Sequence, residues 1–289
     1  MREPTAVEVR KLVAAQFPEW ADLTIRPIAR QGWDNRTFRL GDDLSVRLPS
    51  AEGYVPAIAK EDRWLPHLAG HLPLPVPAPV ATGRPTGEFP FPWSVRRWLP
   101  GETVEHGTLD RIHLPADLAA FLQDLQRVPS SDGPAAGRHS SFRGCHPSAY
   151  SDDVAEALRQ LAADVDSAAC RAIWTAAIAS VWQQQPVWFH GDIAPGNLLT
   201  DGVRLSAVID FGTCGIGDPA CDLVIAWTWF SPEERVVFRD AVALADTTWQ
   251  RARGWALWKA LITLAGRSGP NAQAFQLRAL EQVLDDPVI

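Results

Sequence analysis

From His190 the chain reads His-Gly-Asp192-Ile-Ala-Pro-Gly-Asn197, then runs on to Ile209-Asp210-Phe-Gly212. Two strand-like runs, Leu198–Thr200 and 203–209, flank Asp201-Gly202, a strong hairpin signal. Asn197 begins the first strand and Asp210 follows the second, so such a ribbon returns both side chains to one end. Asp192 sits on the loop feeding that end. Few folds satisfy this pattern, which brings two carboxylates and an amide to a single mouth, as metal-assisted phosphoryl transfer requires.

That chemistry asks the protein for positioning and charge neutralisation more than for bond-making groups. Mg²⁺ takes one or two protein oxygens while phosphates and waters complete its shell. Asp210 offers a carboxylate and Asn197 a neutral carbonyl, a set that binds metal without crowding negative charge beside a triphosphate. Asp192 is placed to accept or orient the proton of an attacking hydroxyl. His190 has two readings, general base or loop brace; the brace is favoured because Asp192 already fills the base position.

With Gly217-Asp218-Pro219-Ala-Cys-Asp222-Leu223 these segments resemble, in order, the three motifs of the aminoglycoside phosphotransferase family. That family is the small-molecule branch of the protein-kinase-like fold that also includes choline and macrolide kinases. The resemblance implies an α+β, two-lobed protein: residues 1–100 form a nucleotide-binding lobe of antiparallel sheet with one helix. Residues 101–289 form a mostly helical catalytic and substrate-binding lobe that carries the hairpin. It implies Asp192 as catalytic base, Asn197 and Asp210 as Mg²⁺ ligands, ATP or GTP as co-substrate, and fold-stabilising roles for Asp218 and Asp222. Gly191 stands where protein kinases usually carry an arginine, and the stretch from Gly212 to Asp222 is too short for a regulated activation segment. The expected acceptor is therefore the hydroxyl of a small molecule rather than a protein. An aminoglycoside heads the candidates, with antibiotic resistance as the implied role. A macrolide, choline-like alcohol, homoserine or sugar remains open, as does a nucleotide-binding pseudokinase.

Further upstream, residues 4–17 read as an amphipathic helix. Leu23–Ile28, Arg36–Leu40 and Leu44–Leu48 read as a strand meander with turns at Gly32–Asn35 and Gly41–Asp43. In the resembled fold the turn at Gly32 and Asn35 covers the phosphates, and the third strand presents a lysine to them. Only Lys11, Lys60 and Lys259 exist in the chain, so unless Lys60 reaches across, Arg47 is the phosphate-contacting candidate, paired with Glu61 on the following helix. Seven prolines between His71 and Trp93 suggest stiffened sheet edges, with Val76 and Val80 facing inward. Trp93–Leu99 reads as a strand ending at Pro100-Gly101, and the resemblance makes Arg97 to Leu99 the hinge beside the adenine. Helical spacing recurs in Leu118, Phe121, Leu122 and Leu125, and again in Val154, Leu158, Leu161 and Val165. Residues 130–150 read as a loop.

A net charge of −7 and a pI near 5.5 argue against a nucleic-acid partner. No run approaches the roughly 20 apolar residues of a membrane span. Cys145, Cys170, Cys214 and Cys221 have neither zinc nor Cys-x-x-Cys spacing, which suits reduced thiols in the cytoplasm. For the acceptor site the sequence offers acids at Asp152, Asp153, Glu156, Asp164 and Asp166, and tryptophans at 227, 229, 255 and 258. A solvated helix face and core packing explain these two sets more simply.

Overall fold

Residues 3–107, 111–266 and 273–286 are described by the computed structural model. Helix α1 (Ala6–Gln16) begins at a capping box: Glu8 N–H donates to the Thr5 hydroxyl, and Thr5 N–H donates to the Glu8 carboxylate. Strands β1 (Ile25–Pro27), β2 (Asn35–Leu40) and β3 (Leu44–Pro49) form the meander. Helix α2 (Val55–Ala69) carries Glu61 and has Pro56 in its first turn, where the missing N–H costs nothing. Strands β4 (Pro79–Gly83) and β5 (Trp93–Arg97) complete a five-stranded antiparallel sheet in the order β1-β2-β3-β5-β4. Its core joins Val9, Leu12 and Val13 of α1 to Phe38, Leu40, Val46, Leu48, Trp93 and Val95.

Val80 corrects one expectation. It is 45% exposed, although Val76 is buried. The β4–β5 register shifts between Pro79 and Ala81, leaving Val80 on a bulge that turns it outward. Ala78 N–H also donates to Val76 O at 2.7 Å, so residues 76–80 are no continuous strand and their even spacing does not put them on one face.

The chain divides into two compact units, Met1–Gly101 with Ser206–Gly212, and Glu102–Leu205 with Thr213–Ile289. In chain order, the elements after β5 begin with β6 (Glu102–Thr103), α3 (Leu114–Arg127), α4 (Ser151–Gln160) and α5 (Ser167–Ile178). Next come β7 (Val187–Phe189), β8 (Leu198–Thr200), β9 (Leu205–Val208) and β10 (Gly215–Gly217). Helices α6 (Ile225–Thr228), α7 (Pro232–Val242), α8 (Asp246–Leu264) and α9 (Gln273–Asp285) finish it. In the second unit β6 pairs with β8 and β7 with β10. Helix α8 is its axis, contributing Trp249, Trp255, Leu257, Trp258 and Leu261 to the core. Among the described residues no helix is long and apolar enough to cross a membrane.

Two further expectations change. Helix α4 stops at Gln160, so Leu161 and Val165 lie in a following turn closed by the Val165 N–H to Leu161 O bond. The strand expected from Val203 starts at Leu205, because the Asp201 carboxylate takes the N–H groups of Val203 (2.9 Å) and Arg204 (2.8 Å). That Asx turn diverts both amides from a ladder and leaves Val203 53% exposed.

Candidate active site

In the first unit, alternation along β3 sends Val46 and Leu48 into the core and Arg47 to the other face, where α2 supplies Glu61. Arg47 Nη1 lies 3.3 Å from Glu61 Oε1, and its Nη2 lies 3.7 Å from Asp210 Oδ1. Glu61 Oε1 also accepts the Phe211 N–H at 3.1 Å. One buried carboxylate thereby holds both the guanidinium and the backbone beside Asp210, whose φ of +66° is unusual for a residue with a Cβ.

A residue the sequence did not single out completes this cluster. Arg96 of β5, fully buried, places Nη1 3.2 Å from Glu61 Oε2, Nη2 2.9 Å from Asp62 and Nε 2.9 Å from the Ser94 hydroxyl. Burial pushes the Glu61 carboxyl up. Arg47, Arg96 and the Phe211 N–H outweigh it, and the group stays below its ordinary range. Asp62 moves the other way, raised chiefly by burial and further by the charge on Glu61. Arg47 loses stability as a cation through burial but regains more from Glu61 and Asp210, so its pKa ends raised.

The remaining nucleotide-site candidates lie apart from this cluster. Asn35 opens β2 opposite Pro49. It is buried, and its Oδ1 has no hydrogen-bond partner among the described residues. Gly32 precedes it in an exposed loop, where its carbonyl accepts from Arg36 Nη1 at 2.8 Å. The loop is tied to the end of β3 by Ser50, whose hydroxyl donates to Trp33 O and whose N–H donates to Asp34 O. Arg97 pairs with Leu44 at the other end of β3 and is exposed; Leu99, two residues on, is half-buried.

In the second unit, β7 delivers the chain to His190 and Asp192. Gly191 has φ +87°, and a Cβ there would lie 2.8 Å from Thr213 Oγ1 and 2.9 Å from Thr213 O. Backbone sign and lack of space both demand glycine. Asp222 braces the turn, with Oδ2 accepting the His190 N–H at 2.8 Å and Oδ1 the Gly191 N–H at 2.6 Å. It is 1% exposed, and burial raises its carboxyl despite His190 and these two amides.

His190 is fully buried, and its Nδ1 accepts the Asp192 N–H at 3.2 Å. This contact braces the loop through a backbone amide. Asn197 Nδ2 donates to Asp192 O at 2.9 Å and to Asp192 Oδ2 at 3.1 Å, so these two residues are brought together with the Asn197 carbonyl turned from the pair. Beneath the loop, Asp218 forms a buried ion pair with Arg251 Nε at 2.6 Å and caps the turn at Ala220. Of the proposed acceptor-site groups, Trp227, Trp255 and Trp258 are buried. Glu156 pairs with Arg159, and Asp166 caps α5.

The sequence profile of the phosphotransferase enzyme family matches residues 24–255. A search of curated proteins finds no match. Among solved structures, the GDP complex of wild-type aminoglycoside 2'-phosphotransferase-IIIa superposes with a TM-score of 0.67 at 18% identity, covering 97% of both chains. The apoenzyme of macrolide 2'-phosphotransferase MphH from Brachybacterium faecium gives 0.63 at 21% identity over 98% of both. A gentamicin complex of an aminoglycoside 2"-phosphotransferase gives 0.62 at 18%, over 99% of this chain and 98% of that one. The five-stranded antiparallel sheet, the helical C-terminal part and the profile match agree: the chain belongs to the phosphotransferase enzyme family and is a small-molecule phosphotransferase of kinase-like fold.

Proposed function

We propose that this enzyme moves the γ-phosphoryl group of ATP or GTP to a hydroxyl of a small molecule, with Asp192 as the base. The observation that carries this is the Asp192–Asn197 pair on a loop braced by His190 and Asp222. A base held by its own backbone amide and by a neighbouring side chain keeps one orientation, as proton acceptance requires. Arg47, fixed by Glu61, is the candidate phosphate contact, and Arg97 to Leu99 the candidate adenine hinge. GDP and ADP occur in solved structures of similar fold.

The donor set suits Mg²⁺. Asp210 has a carboxylate 41% exposed, Asn197 has a carbonyl oxygen, and both are hard ligands of the kind this ion takes in ones and twos. When bound, Mg²⁺ neutralises charge on the β- and γ-phosphate oxygens. In the transfer, the acceptor oxygen forms a bond to the γ-phosphorus, the bond to the β-bridging oxygen breaks, and the hydroxyl proton passes to Asp192. The nucleoside diphosphate leaves.

Structures of similar fold include kanamycin and gentamicin complexes and a macrolide phosphotransferase, so kanamycin, gentamicin and a macrolide belong in the first acceptor screen. Asp192→Ala should lower turnover about 10²- to 10⁴-fold while nucleotide binding by calorimetry is kept; near-normal turnover sinks the assignment. Arg47 in the usual lysine position favours a second reading, a nucleotide-binding pseudokinase. Tight Mg²⁺-nucleotide binding without turnover on any acceptor, or on water, would select it.

A further inference from the structure

Helix α8 carries Trp255, Trp258 and Lys259 at i, i+3 and i+4, on one face within a single turn. The 137–146 loop lays Arg143 across that face. Its guanidinium carbon lies 4.6 Å from the centroid of Trp258 and 5.3 Å from that of Trp255. Tyr150 stacks on Trp258 at 4.1 Å and donates its hydroxyl to Ser141 O at 2.7 Å. The loop is held under strain to do this: Ser141 (φ 48°) and Phe142 (φ 54°) both take left-handed conformations unusual for residues with side chains.

The same loop is fastened to the strand that feeds the base. Gly144 (φ 76°) rests so closely on Phe189 that a Cβ would meet its ring at 2.0 Å, and Gly144 O accepts the Asp218 N–H at 2.9 Å. Phe189 is the last residue of β7, three before Asp192. Lys259 feels both sides: burial lowers its ammonium pKa, Arg143 lowers it further, and Asp192 pulls it back. Among the described residues, the contacts of Arg143 with Ser141 O and Tyr150 take up only part of its five N–H donors. Asp153 of α4 is an acidic group whose charge acts on Tyr150.

We propose that this aromatic platform with its two cations, Arg143 and Lys259, reads an anionic oxygen group on the acceptor, a carboxylate or a phosphate near the hydroxyl that receives phosphate. The inference rests on the phosphotransfer reading and narrows its acceptor. A guanidinium seated against two indoles, themselves at 87° to each other, keeps N–H donors for a contact with a carboxylate or phosphate. Two cations at this platform disfavour a polyamine there, so an aminoglycoside is a poor fit here.

The test uses the full chain, Mg²⁺, labelled ATP or GTP, and one sugar skeleton in four charge states: glucosamine, glucose, glucuronate and glucose 6-phosphate, with kanamycin as polycation. The expected result is a kcat/KM for glucuronate, glucose 6-phosphate or both about 10- to 100-fold above glucose, the range of one or two charge-assisted contacts. Glucosamine and kanamycin should fall below glucose. Glucuronate alone identifies a carboxylate reader, and glucose 6-phosphate alone a phosphate reader. Arg143→Gln and Lys259→Gln should bring the ratio of kcat/KM for the anions over glucose down towards unity, and Arg143→Lys should keep part of it; thermal melts confirm that each variant is folded. A flat series, a preference for amines, no transfer to any member, or an anion preference that survives both glutamine variants overturns the proposal. Asp192→Asn separates the two levels: if it abolishes nucleotide turnover while the series is flat, only the acceptor inference fails. If turnover survives it, the phosphotransfer reading fails first.

Discussion

Replacing Glu61 by glutamine tests the charge cluster around Arg47 with almost no change of shape. Removing one partner of a buried ion pair costs about 3–5 kcal/mol, because the other charge is left in a poor solvent. Here the geometry lowers that figure. Arg96 keeps Asp62 at 2.9 Å, Arg47 keeps Asp210 at 3.7 Å, and the glutamine carbonyl can still accept the Phe211 N–H. A cost of about 2–3 kcal/mol follows, which moves a urea midpoint down by about 1 M for an m-value near 2–3 kcal/mol/M. Urea unfolding followed by hydrogen exchange of peptides from β3, β5 and residues 206–212 reads it locally. The double variant Glu61→Gln/Asp62→Asn removes both carboxylates from the fully buried Arg96. It should cost at least ~1 kcal/mol more than the sum of the single variants. A midpoint within about 0.2 M of wild type, or a strictly additive double variant, would refute the claim that these charges act as one unit.

Gly191→Ala should cost about 1–3 kcal/mol from the left-handed backbone and the Thr213 contact, and turnover should fall with it; thermal melts and kinetics at unchanged nucleotide affinity check this. On the acid side, burial raises Asp117 and Glu234, but the hydrogen bonds from Arg204 and Arg111 outweigh it, and Glu61 behaves alike. All three carboxyls have folded pKa values below their unfolded ones. Their contribution is therefore complete above the ordinary carboxyl range and fades as pH falls below about 5. Urea midpoints from pH 7 to pH 3 should drop accordingly; a flat profile would count against it. Burial raises Cys170 to about 11 and Cys221 well above its ordinary value, so in the native protein an alkylating agent at pH 8 should reach the half-buried Cys145 first. Rapid labelling of Cys170 would contradict this.

What could be read from the chain alone followed sequence distance. Asp192 and Asn197 lie five residues apart on a turn whose glycine and proline announce it, so their meeting was legible. Three strands of the first sheet were legible because alternation and turn residues agree locally. Val80 and Val203 were misread for a related reason: a bulge and an Asx turn override period-2 patterning, and neither leaves a compositional mark. Arg96 was passed over because an arginine inside a β-strand run looks like an outward-facing position. Its partners, Glu61 and Asp62, are more than thirty residues away. The one available signal was the count of charges, since adjacent Glu61 and Asp62 leave one carboxylate over once Arg47 is paired with Glu61.

That missed arginine bears on the position where a lysine is usual. A lysine gives a compact charge that a single carboxylate can orient, whereas a guanidinium spreads its charge over a fork and needs its angle fixed. Glu61 fixes it by contacting Arg47 through one oxygen, which also holds the Phe211 N–H, while the other oxygen is anchored by Arg96. On this reasoning Arg47→Lys should not restore an ordinary site. The shorter, freely rotating ammonium would keep Glu61 but lose the 3.7 Å reach to Asp210 that Nη2 provides. Nucleotide KM should therefore rise several-fold with stability almost unchanged, by about 0.5 kcal/mol or less if the remaining pair behaves as a retained buried contact. Arg96→Gln should raise KM while leaving Arg47 in place, because it frees the carboxylate that sets the angle. An Arg47→Lys enzyme with wild-type KM would show that the fork geometry is irrelevant, and the role given to Arg96 would fall with it.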